Sequence, residues 1–256
     1  MWDPQQYRRF SDERSRPFFD LLARVGAEQP RQVVDLGCGP GELTATLAAR
    51  WPGATVLGVD SSPAMIEAAQ AGRPTGGQLS FQIGDATGWE PDAPVDVLVA
   101  NAVLQWLPGQ LKVLARWAGL LSAGGWLAVQ APGNFDQPGH VIMRELAASA
   151  RWRPLLDGVM LNRQAGDPAG YLDLLAGAGC ETDAWETTYL HVLAGDNPVL
   201  DWYKGTGLRP VIDALPPDQA AEFLAEYGDR VRQAYPARPY GTVLPFRRVF
   251  VVAQAR

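Results

Sequence analysis

Three alternating glycines close a short apolar run in Val33-Val34-Asp35-Leu36-Gly37-Cys38-Gly39-Pro40-Gly41, and this stretch limits the fold more than any other. Val33 and Val34 predict a buried strand, and Glu42 to Arg50 predict a helix with Leu43 and Leu47 on one face. The glycines therefore occupy a strand-to-helix turn. There they adopt backbone conformations closed to other residues and let a ligand approach the main chain, while the N–H groups of the helix start attract electron-rich groups. A dinucleotide loop of the G-x-G-x-x-G kind is spaced differently, and no lysine follows as it does in a phosphate-binding G-x-x-x-x-G-K-[ST] loop.

The remaining elements arrange themselves around that turn. Ala54 to Asp60 reads as a second buried strand, ending in an acid about 20 residues on, the distance at which an α/β crossover returns a carboxylate to a ribose. Ser62 caps the next helix, with Pro63 in its first turn. Leu79 to Asp85 and Val95 to Ala102 are the third and fourth strands; Gly109 to Leu121 is a helix with Leu111, Leu114, Ala118 and Leu121 inward, stopped by Gly124-Gly125 before a fifth strand, Trp126 to Ala131. Upstream, Phe18, Leu21, Leu22 and Val25 form an amphipathic stripe whose first turn accommodates Pro17. This alternation predicts an α/β fold with a doubly wound, mostly parallel sheet.

Further on, Tyr171 to Ala178 and Ala220 to Val231 are helical, Glu181 to Leu193 is a strand, and Phe246 to Ala253 is the final strand, bearing Arg247 and Arg248. Residues 1–256 are expected to form a single domain, with 133–165 and 194–245 as a helical lid, inserted before the last strand, that shapes the substrate pocket.

Composition narrows the function. A net charge of −6 and a pI near 5.0 argue against a sequence-independent grip on nucleic acid and toward small-molecule partners. Cys38 and Cys180 form no C-x-x-C pair and read as buried thiols of a reducing compartment; no zinc site, targeting segment or membrane span is predicted, so a soluble cytoplasmic protein is expected. Only Lys112 and Lys204 among the 22 Lys and Arg are lysine, a global bias that lowers the weight of any one arginine.

The acid followed by alternating glycines resembles the first motif of the class I S-adenosylmethionine (SAM) dependent methyltransferases. That resemblance implies a loop around the amino-acid and ribose parts of SAM with Asp35 near the methionyl amine, Asp60 at the ribose hydroxyls, and Asp85 with Ala86 at the adenine. The implied cofactor set is Asp35, Gly37, Gly39, Gly41, Asp60, Ser61, Met65, Asp85, Ala86 and Asn101. Asn101-Ala102-Val103-Leu104 stands where methyltransferases acting on amide or base nitrogens carry Asn-Pro-Pro-Tyr, and is closer to small-molecule O-methyltransferases.

Phe10 to Pro17, Asp35 to Gly41, Asp60 to Met65, Leu104 to Pro108 and Thr206-Gly207-Leu208-Arg209-Pro210, the first and last most specifically, carry a nearly end-to-end resemblance to the trans-aconitate 2-methyltransferase family. It implies transfer of the SAM methyl group to one carboxylate of a polycarboxylate. Such a nucleophile is already ionised near neutrality, so alignment and water exclusion suffice, and no catalytic residue or metal is expected. Arg14, Arg16, Arg209 and Arg248 are the expected carboxylate clamp, with Gln105, Trp106 and His191 lining the pocket. Trp106 as a core aromatic and His191 as a structural histidine remain the plain alternatives. The wider alternatives are a methyltransferase of a carrier-bound malonyl ester, a non-catalytic SAM-binding protein and, less well matched, a nicotinamide oxidoreductase. Oligomeric state is left open, with a monomer favoured.

Overall fold

The computed structural model describes residues 11–72, 77–159, 161 and 166–256. The chain divides into two compact units: a sheet unit of Ser15–Pro132, Ala165–Glu186 and Arg248–Arg256, and a helical unit that includes Gly133–Gln164 and Thr187–Arg247.

The sheet unit is built on β1 (Gln32–Leu36), β2 (Thr55–Asp60), β3 (Leu79–Ile83), β4 (Val95–Asn101) and β5 (Leu121–Pro132). Pairing is parallel from β3 through β2, β1 and β4 to β5. Beyond β5, residues 248–254 of β8 (Gly241–Ala255) run antiparallel to it, with Trp126 opposite Gln254 and Pro132 opposite Arg248. The strand order is β3-β2-β1-β4-β5-β8-β6, with β6 spanning Cys180–Leu193. Strands covered on both faces need continuous apolar runs, which is why Val97 to Ala100 and Val249 to Ala253 are buried without alternation. The helices are α1 (Ser11–Leu22), α2 (Glu42–Arg50), α3 (Pro63–Ala71), α4 (Gln110–Ala118) and, after two short helices of the other unit, α7 (Pro168–Gly177).

Three local readings change. Pro17 lies inside α1 rather than in its first turn, because the helix already runs from Ser11. In α4 the buried face is Val113, Leu114, Trp117 and Ala118, while Leu111 is exposed: the Trp117 indole reaches the Ala86 carbonyl at 2.9 Å and turns the helix. Gly124-Gly125 does not stop that helix but forms an irregularity within β5. Gly124 is left-handed (φ 73°), and a side chain on Gly125 would meet the Val95 and Ser122 carbonyls at 2.8 Å.

The helical unit has its own core. α5 (Pro138–Ala147), α6 (Arg153–Leu156), α8 (Pro198–Lys204), α9 (Arg209–Ala214) and α10 (Pro217–Ala234) bury Met143, Trp152, Trp202, Tyr203, Phe223 and Tyr227 together with Leu193 and Phe246. A two-residue strand, β7 (Ala237–Arg238), pairs with the start of β8. No helix among the described residues is long and apolar enough to cross a membrane.

Inside this core Gly139 of α5 is held by tyrosines. Its N–H donates to Tyr235 Oη and its carbonyl accepts from Tyr227 Oη, both at 3.1 Å, and a Cβ there would lie 2.5 Å from the Tyr203 ring. Gly139→Ala should therefore destabilise by about 1–3 kcal/mol through overpacking, lowering the melting temperature by several degrees. Gly177→Ala, where the added methyl meets nothing within 4 Å, should leave it unchanged or raise it; calorimetry on the two variants checks the pair.

Candidate active site

Register places Leu36 beside Val59, Asp60 beside Ile83 and Asp35 beside Val99, so the carboxyl ends of β1 to β4 share one edge. Open α/β sheets bind ligands at such an edge. The glycine loop leaves β1 there, and Gly37, Gly39 and Gly41 all have φ between 55° and 80°, a region costly for a side chain. Their surroundings differ. A Cβ on Gly37 would lie 2.2 Å from Val103 and one on Gly41 2.6 Å from Phe81, whereas one on Gly39 would meet nothing within 4 Å. The outer glycines pack the loop down, and the middle one leaves bare backbone.

Most of the loop's donors are committed internally. Gly37 and Cys38 both donate to the Val59 carbonyl, Gly39 to Asp60 Oδ2 at 2.9 Å, and Gly41 to the Cys38 carbonyl. A phosphate needs those N–H groups, so the loop suits a different ligand. Beside it stand two carboxylates. Asp60 accepts from Gly39 N and, through Oδ1, from Ser62 N at 2.9 Å, which leaves further lone pairs on a half-buried group at the end of β2. Asp35 is 2% exposed; Thr44 of α2 donates to its Oδ2 at 2.6 Å, and Oδ1 has no hydrogen-bond partner among the described residues. Burial, with the nearby Asp60 charge adding to it against the Thr44 bond, pushes the Asp35 carboxyl up to about 6.

A half-satisfied buried carboxylate beside an open glycine fits a ligand that brings a cation and hydroxyls, which is what the ammonium and ribose of SAM offer. Asp35 and Asp60 would hold those groups, Gly39 would admit the close approach, and SAM would supply an electrophilic methyl on a sulfonium. Cys38 is no nucleophile here, since burial and the two carboxylates push its thiol well up.

The other expected cofactor positions follow or end β2, β3 and β4. Ser61 is exposed, and Met65 is half-buried on α3. Because β3 stops at Ile83, Asp85 sits in the turn that follows. Its Oδ1 accepts from both N and Oγ1 of Thr87 at 2.9 Å, so it caps its own turn. Ala86 is buried. Asn101 ends β4, with Gln130 Nε2 donating to its Oδ1 at 2.5 Å.

Of the expected acceptor residues, three stand in the sheet unit near that edge. Gln105 and Trp106 lie on a 3-10 turn, Leu104–Trp106. Gln105 is buried, donating to the Ala102 carbonyl at 2.6 Å with Oε1 unpartnered among the described residues, while Trp106 is 38% exposed and so is not a core aromatic. Arg248 is buried and its Nη1 donates to Gln130 Oε1 at 3.3 Å. Arg16 is exposed on α1, 3.9 Å from Asp20; the Arg14 side chain lies outside the described residues.

His191 and Arg209 belong to the helical unit. His191 is buried in an aromatic stack, 5.1 Å from Trp202 and 6.0 Å from Tyr189 and Phe246. Arg209 opens α9 and places Nη2 3.2 Å from Asp213 Oδ1, one turn along.

Two residues of the site escaped the sequence reading. Thr44 orients Asp35, and Gln130 links β4 to β8. Gln130 left a signal, a lone amide in the apolar run Trp126 to Ala131; Thr44 left none.

A family described as a methyltransferase domain matches residues 33–125. The chain is 53% identical to "Trans-aconitate 2-methyltransferase" of Streptomyces avermitilis over 98% of its own length and 96% of that protein. It is 51% identical to the protein of that name from Rhodococcus jostii over the whole of both chains. Among solved structures it is similar to the YcgJ protein of Bacillus subtilis, with a TM-score of 0.62 at 13% identity, covering 94% of this chain and 98% of that one. Phosphoethanolamine N-methyltransferase 2 of Haemonchus contortus, solved with S-adenosyl-L-methionine, gives a TM-score of 0.57 at 15% identity, over 94% of this chain and 53% of that one. These structures share the fold. Identity at that level over the full length shows that the chain belongs to the trans-aconitate 2-methyltransferase family and is a SAM-dependent methyltransferase.

Proposed function

We propose that this enzyme moves the SAM methyl group to one carboxylate of trans-aconitate, giving the monomethyl ester and S-adenosylhomocysteine. The observation that carries the acceptor is the near end-to-end identity with proteins of that name. The site supports the chemistry. Asp35 and Asp60 engage the ammonium and ribose, and Gly37, Gly39, Gly41, Ser61, Met65, Asp85, Ala86 and Asn101 are the further residues we assign to the cofactor.

A carboxylate acceptor arrives ionised, so no residue has to remove a proton; this chain's task is to hold two reactants in line and exclude water. Three carboxylates call for cations and N–H donors. Arg14, Arg16, Arg209 and Arg248, with Gln105, Trp106 and His191, are the residues we assign to that role, and 133–165 and 194–245 are the segments we assign to shaping the acceptor pocket. A mass-spectrometric assay of protein, SAM and a panel of di- and tricarboxylic acids tests the reading. Trans-aconitate should gain one CH₂ and outrun the other acids; another acid turned over far faster would overturn the acceptor.

Two predictions follow from the named roles. The folded protein holds a proton on Asp35 up to about pH 6, against 3.8 ordinarily, so stability falls as pH rises between those values and the ionised acid thereafter costs about 3 kcal/mol. Asp35→Asn should make the ligand-free protein more stable at pH 7.5 and remove that pH dependence, yet weaken SAM binding. Urea titrations at pH 4 and 7.5, with calorimetric SAM titration, check both signs. At the acceptor end, Arg209→Lys keeps the charge but loses the planar fork, and should raise the KM for trans-aconitate about tenfold with SAM affinity nearly intact. Steady-state kinetics read this directly, and equal effects on both substrates would make Arg209 a structural arginine.

A further inference from the structure

We propose that Gln130 is a positioning residue that fixes which end of the Asn101 amide points out of the sheet, so that Asn101 presents an N–H donor to a carboxylate of a bound ligand. Three neighbouring strands carry the argument. On β8, the buried Arg248 guanidinium can only donate, and its Nη1 meets Gln130 Oε1 at 3.3 Å. That leaves Nε2 of Gln130, on β5, to point the other way, where it donates to Asn101 Oδ1 at 2.5 Å. Asn101 lies directly opposite Gln130 at the end of β4. With Oδ1 held, its Nδ2 is the atom left for the half-exposed strand end. Flipping either amide would set donor against donor or acceptor against acceptor, so the polarity runs in one direction from a donor-only group.

The backbone reinforces this alignment. Ala102 has φ 58°, uncommon for a residue with a side chain, and it is held there from both sides: its N–H donates to the Gln130 carbonyl at 2.9 Å, and its carbonyl accepts from Gln105 Nε2 at 2.6 Å. Gln130, 1% exposed, thus anchors the turn after β4 through its main chain and the Asn101 side chain through its amide.

An outward N–H matches a carboxylate oxygen. On the reading of the preceding subsection, two ligands carry one: SAM at its methionyl end, and the acceptor.

The test starts with wild-type protein, whose SAM affinity and turnover of trans-aconitate examine that reading by themselves. Gln130→Glu keeps the side-chain shape and can accept from Arg248, but offers Asn101 no donor, so the Asn101 amide turns and shows oxygen to the ligand. We expect a melting temperature close to wild type and about a 10–100-fold loss in one parameter, the size of a lost hydrogen bond to a charged group. If the acceptor is the partner, its KM rises and the Kd for SAM stays. If SAM is the partner, its Kd rises, and the loss vanishes with decarboxylated SAM as the probe. Asn101→Asp, which keeps the bond from Gln130 and alters only the outward atom, should reproduce the same signature and decides the matter should Gln130→Glu not fold. Unchanged parameters in either folded variant, or equal weakening of SAM, decarboxylated SAM and acceptor, would overturn the proposal. A wild type that binds SAM but leaves trans-aconitate unmethylated would overturn the acceptor reading, while the two SAM probes still decide the role of Gln130.

Discussion

A carboxylate shut inside the protein with one oxygen bonded and the other not is the constraint around which this site is organised. Asp35 lies one residue from the end of β1, and the desolvation of its charge is offset only in part by Thr44. The glycine loop that follows can curl back because Asp60 takes the Gly39 N–H and Val59 takes the two before it. That same folding-back removes the free N–H groups a phosphate would use. A glycine turn common to many nucleotide-binding proteins thereby becomes a site of acidic character, suited to a cationic donor.

Buried polar groups serve two ends in this protein. In the helical unit, the phenols of Tyr227 and Tyr235 are matched to the backbone of Gly139 and stay protonated, pushed up by burial. These bonds specify packing. In the sheet unit, Asp35 Oδ1 and Gln105 Oε1 are enclosed without protein partners among the described residues, and both lie next to strand ends. A phenol bonded to buried backbone holds a core, whereas a buried carboxylate oxygen left open at a strand end can accept from a ligand.

The amide chain from Arg248 through Gln130 to Asn101 adds a second kind of preparation. Carboxylates at Asp35 and Asp60 prepare the edge for positive charge and hydroxyls, whereas a fixed N–H on Asn101 prepares it for negative charge a short way along the same edge. A transfer between a sulfonium donor and an anionic acceptor needs both kinds of group, held before either ligand arrives.

Local pattern in the sequence determined a good part of this. The strand into Asp35, the helix Glu42–Arg50, the Pro63 start after Ser62 and the strand that ends at Leu193 all depend on preferences acting over a few residues, and the structure has them where the pattern put them. Elsewhere tertiary contacts overrode the local pattern. Leu111 and Trp117 compete for the inner face of α4, and the Ala86 carbonyl, 31 residues from Trp117, decides for the indole. Gly124-Gly125 reads as a helix stop until the Val95 carbonyl is found against it. Residue types at the site were legible because carboxylates and glycines follow strands at fixed spacings. Their state was not: the bond from Thr44, the elevation of Asp35 and the polarity of Asn101 come from burial and from partners on other strands and helices, up to 118 residues apart along the chain. Only the packed sheet sets desolvation and brings such partners within hydrogen-bond reach, and those two quantities decide what a named residue can do.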